Sequence, residues 1–219
     1  MSFFKWETKK GNYQIKHNVC KRIFDILFSL TVLILGFPIF FVLSLVVLFS
    51  SHGSMLYGHY RVGRGNKTIK CWKFRTMVKD ADQKLHQLLN NNSSLQLEWN
   101  KFYKLKNDPR VTSIGSFLRK TSLDELPQFF NVLKGDLSIV GPRPCIPKEI
   151  IQNFGEKTNQ ILSIRPGITG IWQISGRNNL TRKERVTIEE EYIEKQSLLT
   201  DIKIILKTII VMFSWRGAY

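Results

Sequence analysis

The run ILFSLTVLILGFPIFFVLSLVVLFS, from Ile26 to Ser50, contains no charged residue, and its reading decides the fold. As a helix it is long enough for a bilayer core of about 30 Å. Gly36 and Pro38 interrupt its middle, where proline lacks the N–H that the helical ladder needs and kinks it. Both flanks are basic, with Lys21 and Arg22 before and Arg61, Arg64 and Lys67 after. The positive-inside tendency then puts both ends on the cytoplasmic side. A helix–break–helix that enters the membrane and returns satisfies both features. A plain transmembrane helix stays open, and a buried core helix fits least, because the run has no polar face.

Residues 1–22 are polar and basic. The apolar run after them is too long for the h-region of a signal peptide, and no small-residue cleavage site follows. The expected organisation is a basic segment over 1–22, a re-entrant membrane helix over 23–51 and a catalytic domain over 52–219. The 219 residues carry 33 Lys and Arg against 17 Asp and Glu, a net charge of +16. That excess calls for an anionic partner: nucleic acid, lipid headgroups or phosphorylated substrates. The basic residues are scattered and form no recognisable nucleic-acid module, so no nucleic-acid partner is expected. Cys20, Cys71 and Cys145 are isolated, which points to a reducing compartment. The histidines lack ligand spacing, and no zinc site is expected.

Met55 to Met77 reads as two strands around a turn at Gly63–Asn66. Alternation puts Lys73 and Arg75 on one face, as a phosphate grip or as an ordinary solvated face. Residues 77–106 read as polar helix broken at Asn90–Ser94. Next comes RKTSLDELPQFFNVLKGDLSIVGPRP, Arg119 to Pro144, in which the carboxylates Asp124 and Glu125 lie between basic flanks. Ser122 and Glu125 have the spacing of a helix capping box, predicting a helix from Leu123 to about Lys134 with Gly135 as its stop. A strand over Leu137–Val140 follows. Adjacent carboxylates on a helix point about 100° apart and can still serve one site, one attacking and one holding a cation. A carboxylate can attack phosphorus, provided that a metal and arginines offset the repulsion. Arg119 and Arg143 suit that task in type; spacing does not fix their positions. The stretch around Arg165–Gly170 reads as a loop and short strand pair ending at Arg177, followed by a charged helix over 181–196. Residues 202–213 suit either an interfacial helix, with Lys203 and Lys207 on one face, or a core helix.

Several pieces together resemble the monotopic phosphoglycosyl transferases, the bacterial sugar transferase family that makes polyprenyl-diphosphate sugars. They are KRIFDILFS leading into the Pro-interrupted run, KFRTM, DPR, RKTSLDELPQ, NVLKGDLSIVGPRP, PGITGIWQISGR and the terminal GAY, in the family's order. The resemblance implies an α/β, membrane-associated monotopic fold. Its parts are a re-entrant helix, a mainly helical catalytic domain with a small β element on the cytoplasmic face of the membrane, and interfacial amphipathic helices, one around 200–213. It implies transfer of a hexose-1-phosphate from a UDP-sugar to undecaprenyl phosphate through an aspartyl phosphosugar ester, with release of UMP and with Mg²⁺ as cofactor. Exopolysaccharide, capsule or O-antigen assembly is the implied setting, and membrane lipids are implied partners. Carried over, Asp124 is the nucleophile and Glu125 the Mg²⁺ ligand. Arg119 and Arg143 match basic site positions; Lys73, Arg75, Arg110 and Arg177 match more loosely. The capping box would hold the dyad at a helix N-terminus and keep it ionised. The short N-terminal segment leaves no room for the extra domain of large family members, so the catalytic unit alone is expected. The oligomeric state is open, a homodimer included. The intact dyad argues against the alternative, a non-catalytic scaffold.

Overall fold

The computed structural model describes residues 18–50, 53–102, 105–176 and 180–213. Its elements run α1 (Val19–Leu35), α2 (Phe37–Ser50), β1 (Leu56–Val62), β2 (Thr68–Phe74), α3 (Ala81–Asn91), α4 (Ser93–Phe102) and α5 (Ser113–Thr121). After a 3₁₀ turn, Leu123–Glu125, come α6 (Gln128–Lys134), β3 (Ser138–Val140), α7 (Pro147–Phe154), α8 (Thr158–Ile161) and β4 (Gly167–Thr169). The last are α9 (Ile171–Ile174), α10 (Arg182–Glu194) and α11 (Leu198–Phe213). The described chain is mainly helical, and its β structure is two separate pairs, β1 with β2 and β3 with β4. The five-residue link between β1 and β2 permits only a hairpin. β3 and β4 are parallel, with Ser138 opposite Gly167 and Val140 opposite Thr169. Among the described residues the strand pair expected within 165–177 does not form: β4 pairs with β3, and Ile171–Ile174 is helical.

The apolar run is two helices bent by 66°, and no single described helix is long and apolar enough to cross a membrane. The cause is local. Pro38 falls in the first turn of α2, where its missing N–H costs nothing, and Gly36 sits between the helices. Large apolar side chains stay exposed along both, among them Ile34, Leu35, Phe37, Phe41 and Phe49.

The chain forms two compact units. The first comprises residues up to Val32, Gly58–Cys71, and Gln128 through the last described helix. Its core gathers Ile69 and Cys71 of β2, Ile139 and Val140 of β3, and Ile161, Tyr192, Ile193 and Ile204 from the helices. The polar start of α1 is tied into this unit. Arg22 donates to the Val132 and Leu133 carbonyls at 2.6 and 2.8 Å, satisfying the end of α6. Asp25 accepts from the Ser138 hydroxyl at 3.0 Å and the Ile139 amide at 3.1 Å. Lys21 Nζ lies 2.7 Å from Asp201, which also accepts from the Tyr192 hydroxyl. The cations counted on the N-terminal flank of the apolar run are thus engaged inside the fold. α11 combines both readings offered for it: Asp201 and Ile204 are buried, whereas Leu199, Leu206 and Ile210 are exposed beside Lys203 and Lys207.

The second unit comprises Leu33–Tyr57 and Trp72–Pro127. Its core is Val47, Phe74 and Leu118, closed by Phe40, Leu43, Ile114, Leu123 and Leu126. Phe40 and Phe74 place their ring centroids 4.9 Å apart. An isolated bridge joins Met77 to Val111.

Candidate active site

The site grows out of the second core. Phe74 is buried in it at 1% exposure, so alternation along β2 turns the preceding Lys73 to the other face. Its ammonium meets Glu125 Oε1 at 2.6 Å and Asp124 Oδ2 at 3.4 Å. One lysine therefore bridges the dyad. Leu123 and Leu126 pack on the core and hold the two acids between them in the 3₁₀ turn. That turn is closed by the Glu125 amide donating to the Ser122 carbonyl at 3.2 Å.

The expected capping box does not form. Ser122 is left-handed, with φ 57° and ψ 15°, ends α5, and makes no side-chain cap. Pro127 separates the turn from α6, which begins at Gln128 rather than Leu123. The dyad consequently sits between two helices instead of at a helix N-terminus. A non-glycine residue in the left-handed region costs of order 1 kcal/mol, and it immediately precedes the acids.

Electrostatics differ between the two carboxylates. Asp124 is 6% exposed, and burial raises its carboxyl above the ordinary value. Lys73 opposes that shift, Glu125 adds to it, and Arg119 opposes it. The expectation of a dyad kept ionised by a helix dipole is thus replaced by an acid whose anion depends on neighbouring cations. The Glu125 side chain is more open, at 32%.

Arg119 donates from Nε to Thr76 Oγ1 at 2.9 Å. Burial lowers its guanidinium below the ordinary value, while Asp124 and Asp108 act the other way. Arg110 is held differently from a free phosphate ligand. It is 4% exposed, donates to both Asp108 oxygens at 2.8 and 2.6 Å and lies 5.5 Å from the Trp99 ring centroid. Burial alone would raise Asp108, but Arg110 holds it below the usual carboxylate range. Arg75 reaches the Val47 carbonyl at 3.4 Å, near the end of α2. Arg143 belongs to the first unit, exposed in its loop and 5.0 Å from the Trp172 ring centroid. Arg177 lies outside the described residues. The second unit therefore brings Lys73, Arg119, Asp124 and Glu125 together and assigns Arg110 a structural partner. Thr76, which orients Arg119, was not among the candidate site residues, although it lies within the KFRTM motif.

Among the described residues no three His, Cys, Asp or Glu side chains gather as a metal shell. Two adjacent carboxylates nevertheless suit Mg²⁺, which keeps several waters and takes one or two carboxylates plus substrate phosphates. The dyad already holds a cation, the Lys73 ammonium.

The model of the bacterial sugar transferase family matches residues 16–215. The chain is 46% identical over 199 residues to an undecaprenyl-phosphate galactose phosphotransferase of Salmonella typhimurium, covering 91% of this chain and 41% of the relative. It is 44% identical over 201 residues to the exopolysaccharide production protein ExoY of Sinorhizobium fredii, covering 92% and 88%. An Escherichia coli UDP-glucose:undecaprenyl-phosphate glucose-1-phosphate transferase is 38% identical over 216 residues, covering 93% and 42%. The chain spans less than half the length of the Salmonella and Escherichia relatives and most of ExoY. With a family match over nearly its whole length, the chain belongs to the bacterial sugar transferase family.

Proposed function

We propose that the chain transfers a sugar-1-phosphate, a hexose phosphate in view of its relatives, from a UDP-sugar to undecaprenyl phosphate in exopolysaccharide or capsule assembly. The observation that carries this reading is a buried carboxylate, Asp124, set between Lys73, Glu125 and Arg119. Asp124 attacks the phosphorus that bears the sugar. The bond from that phosphorus to the bridging oxygen breaks, and UMP leaves with the electron pair. The resulting aspartyl ester is then attacked by the oxygen of undecaprenyl phosphate, which frees the carboxylate and yields the diphosphate-linked sugar. Lys73 and Arg119 keep Asp124 anionic, and as UMP departs they offset the charge developing beside it. Glu125 would hold Mg²⁺, which when bound supplies charge neutralisation at the diphosphate.

The test is UMP release from a panel of UDP-sugars, with and without undecaprenyl phosphate. Release with one hexose donor supports the reading; no release with any donor favours the scaffold.

The pH response follows from the site. Asp124 is raised by burial and lowered by Lys73, and it must be ionised to attack. Lys73→Met removes the lowering charge, so the acid limb of kcat/KM moves to higher pH. An unmoved limb would show that Lys73 does not tune the nucleophile.

The exposed apolar faces of α1, α2 and α11 support a monotopic protein of the cytoplasmic membrane, with its site facing the cytoplasm. A lipid acceptor and a water-soluble donor can meet only at that boundary. In a chain lacking its native cysteines, Asn12→Cys and Lys67→Cys should react with an impermeant thiol reagent from the same face. Reaction from opposite faces would mean a spanning helix.

A further inference from the structure

The first unit holds a polar cavity that the transfer chemistry does not use. It measures about 20 Å³ and is lined by Lys21, Asp25, Arg64, Ser138, Arg165 and Gln196, all residues of that unit. Its buried members are already paired. Lys21 meets Asp201 at 2.7 Å, and Asp25 accepts from the Ser138 hydroxyl and the Ile139 amide. The half-buried members, Arg64, Arg165 and Gln196, form the rim. Arg165 donates from Nε to the Gly135 carbonyl at 2.9 Å, and its Nη groups meet no acceptor among the described residues. Arg64, in the turn between β1 and β2, donates from its side chain to no described residue.

We infer that Arg64 and Arg165 form an anion site for a phosphate group, which seats one oxygen in the cavity and is held at the rim by both guanidiniums. This inference goes beyond the transfer reaction and uses none of its residue assignments. The cavity has room for one oxygen-sized group, so the phosphorus stays at the rim. Guanidinium forks match phosphate oxygens in geometry as well as charge. Gln196 adds an amide to the same rim.

The local charges agree with this. Burial disfavours the Arg165 cation, Arg64 and Arg22 repel it, and Asp25 alone acts the other way. Arg22 is engaged with the carbonyls that end α6. Around the cavity the cations Lys21, Arg22, Arg64 and Arg165 thus outnumber the carboxylates Asp25 and Asp201 by two. A phosphate monoester, at about two negative charges, offsets that excess, whereas a phosphodiester offsets half of it. The group can come from a water-soluble monoester or from a lipid one. Helix geometry favours the soluble source. The exposed apolar stripe of α1, Ile23, Leu27 and Leu30, lies on the face opposite to Lys21 and Asp25, so an acyl chain would have to pass around α1.

The test titrates the full chain in detergent micelles with inorganic phosphate and follows Tm, with chloride at matched ionic strength as the control. Phosphate should raise the Tm of the parent, and Arg64→Gln should weaken the apparent Kd about tenfold. Without phosphate, Arg64→Gln should melt at or above the parent, because one of two repelling guanidiniums is gone. That sign distinguishes a binding residue from a structural one. A Kd within about twofold of the parent's, or no phosphate response in the parent, overturns the proposal. If Arg64→Gln folds poorly, Arg64→Lys replaces it: the charge stays but the fork is lost, so affinity should still fall, and an unchanged Kd overturns the proposal. Nanodiscs of phosphatidylcholine with and without phosphatidic acid separate the sources. A phosphate response that survives phosphatidic acid supports the soluble monoester. If phosphatidic acid removes the response in the parent, the site stands and the soluble source is overturned.

Discussion

Asp124→Asn is expected to bring UMP release to background, a loss of about a thousandfold or more, and to abolish labelling of the protein by a sugar-labelled donor. The side chain keeps its shape, so the effect is chemical. An amide cannot form and release the phosphosugar ester. Nor should the fold suffer: burial raises the Asp124 carboxyl, so its ionised form is less favoured in the folded chain than in the unfolded one. The sign follows: the native state binds its proton more tightly than the unfolded chain, and the stability associated with that proton is lost as pH rises through the folded value. Asn removes this loss, and Tm near pH 8 should be unchanged or higher. Turnover well above background with Asp124→Asn would sink the nucleophile assignment. The same assay across Mg²⁺ concentrations examines Glu125, whose oxygen lies 2.6 Å from Lys73 Nζ. Glu125→Gln should raise the half-saturating Mg²⁺ concentration about tenfold; an unchanged response removes it from the metal role.

Local chemistry was readable in the sequence where one short stretch determines it. The break at Gly36 and Pro38 appears as a 66° bend, and Gly135, with φ 93°, closes α6 as the helix-stop reading expects. Alternation along one strand put Lys73 on a face with Arg75, as a phosphate grip or a solvated face, but gave no hint that Lys73 meets Glu125 and Asp124 while Arg75 reaches the Val47 carbonyl. What failed required knowledge of partners distant in the chain. Ser122 and Glu125 have capping-box spacing, but the packing of Leu123 and Leu126 on the second core and the Pro127 interruption override it. β3 and β4 have three residues each, too short to signal a parallel pair whose geometry depends on the chain between them. Arg110 and Arg119 look alike in sequence. Only the fold gives one to Asp108 and the other to Thr76. Buried Glu189 and Asp201 sit in helices whose patterns read as charged or amphipathic, and buried Asp25 at the start of the segment read as a re-entrant membrane helix, so nothing local marks them as interior to the fold.

Gly115→Ala is expected to be the most damaging small substitution in the second unit, costing about 3 kcal/mol or more. Gly115 lies in the first turn of α5, where its amide donates to Thr112 Oγ1 at 2.9 Å. A Cβ there would fall 2.0 Å from the Thr76 carbonyl oxygen and 2.7 Å from its Cα. That backbone has little freedom to move, because the same carbonyl accepts from the Thr112 amide at 3.0 Å. Thr76 also carries the hydroxyl that orients Arg119, so relief of the clash should move a guanidinium beside the nucleophile. Stability and activity should therefore fall together, in contrast to Asp124→Asn. Gly155→Ala supplies the comparison. Its Cβ would meet nothing within 4 Å, and only its φ of 48° resists a side chain, so about 1 kcal/mol is expected. Thermal unfolding of the two variants should rank them in that order. A Gly115→Ala chain that melts with the parent would mean that α5 can retreat from Thr76, and that the contact does not fix Arg119.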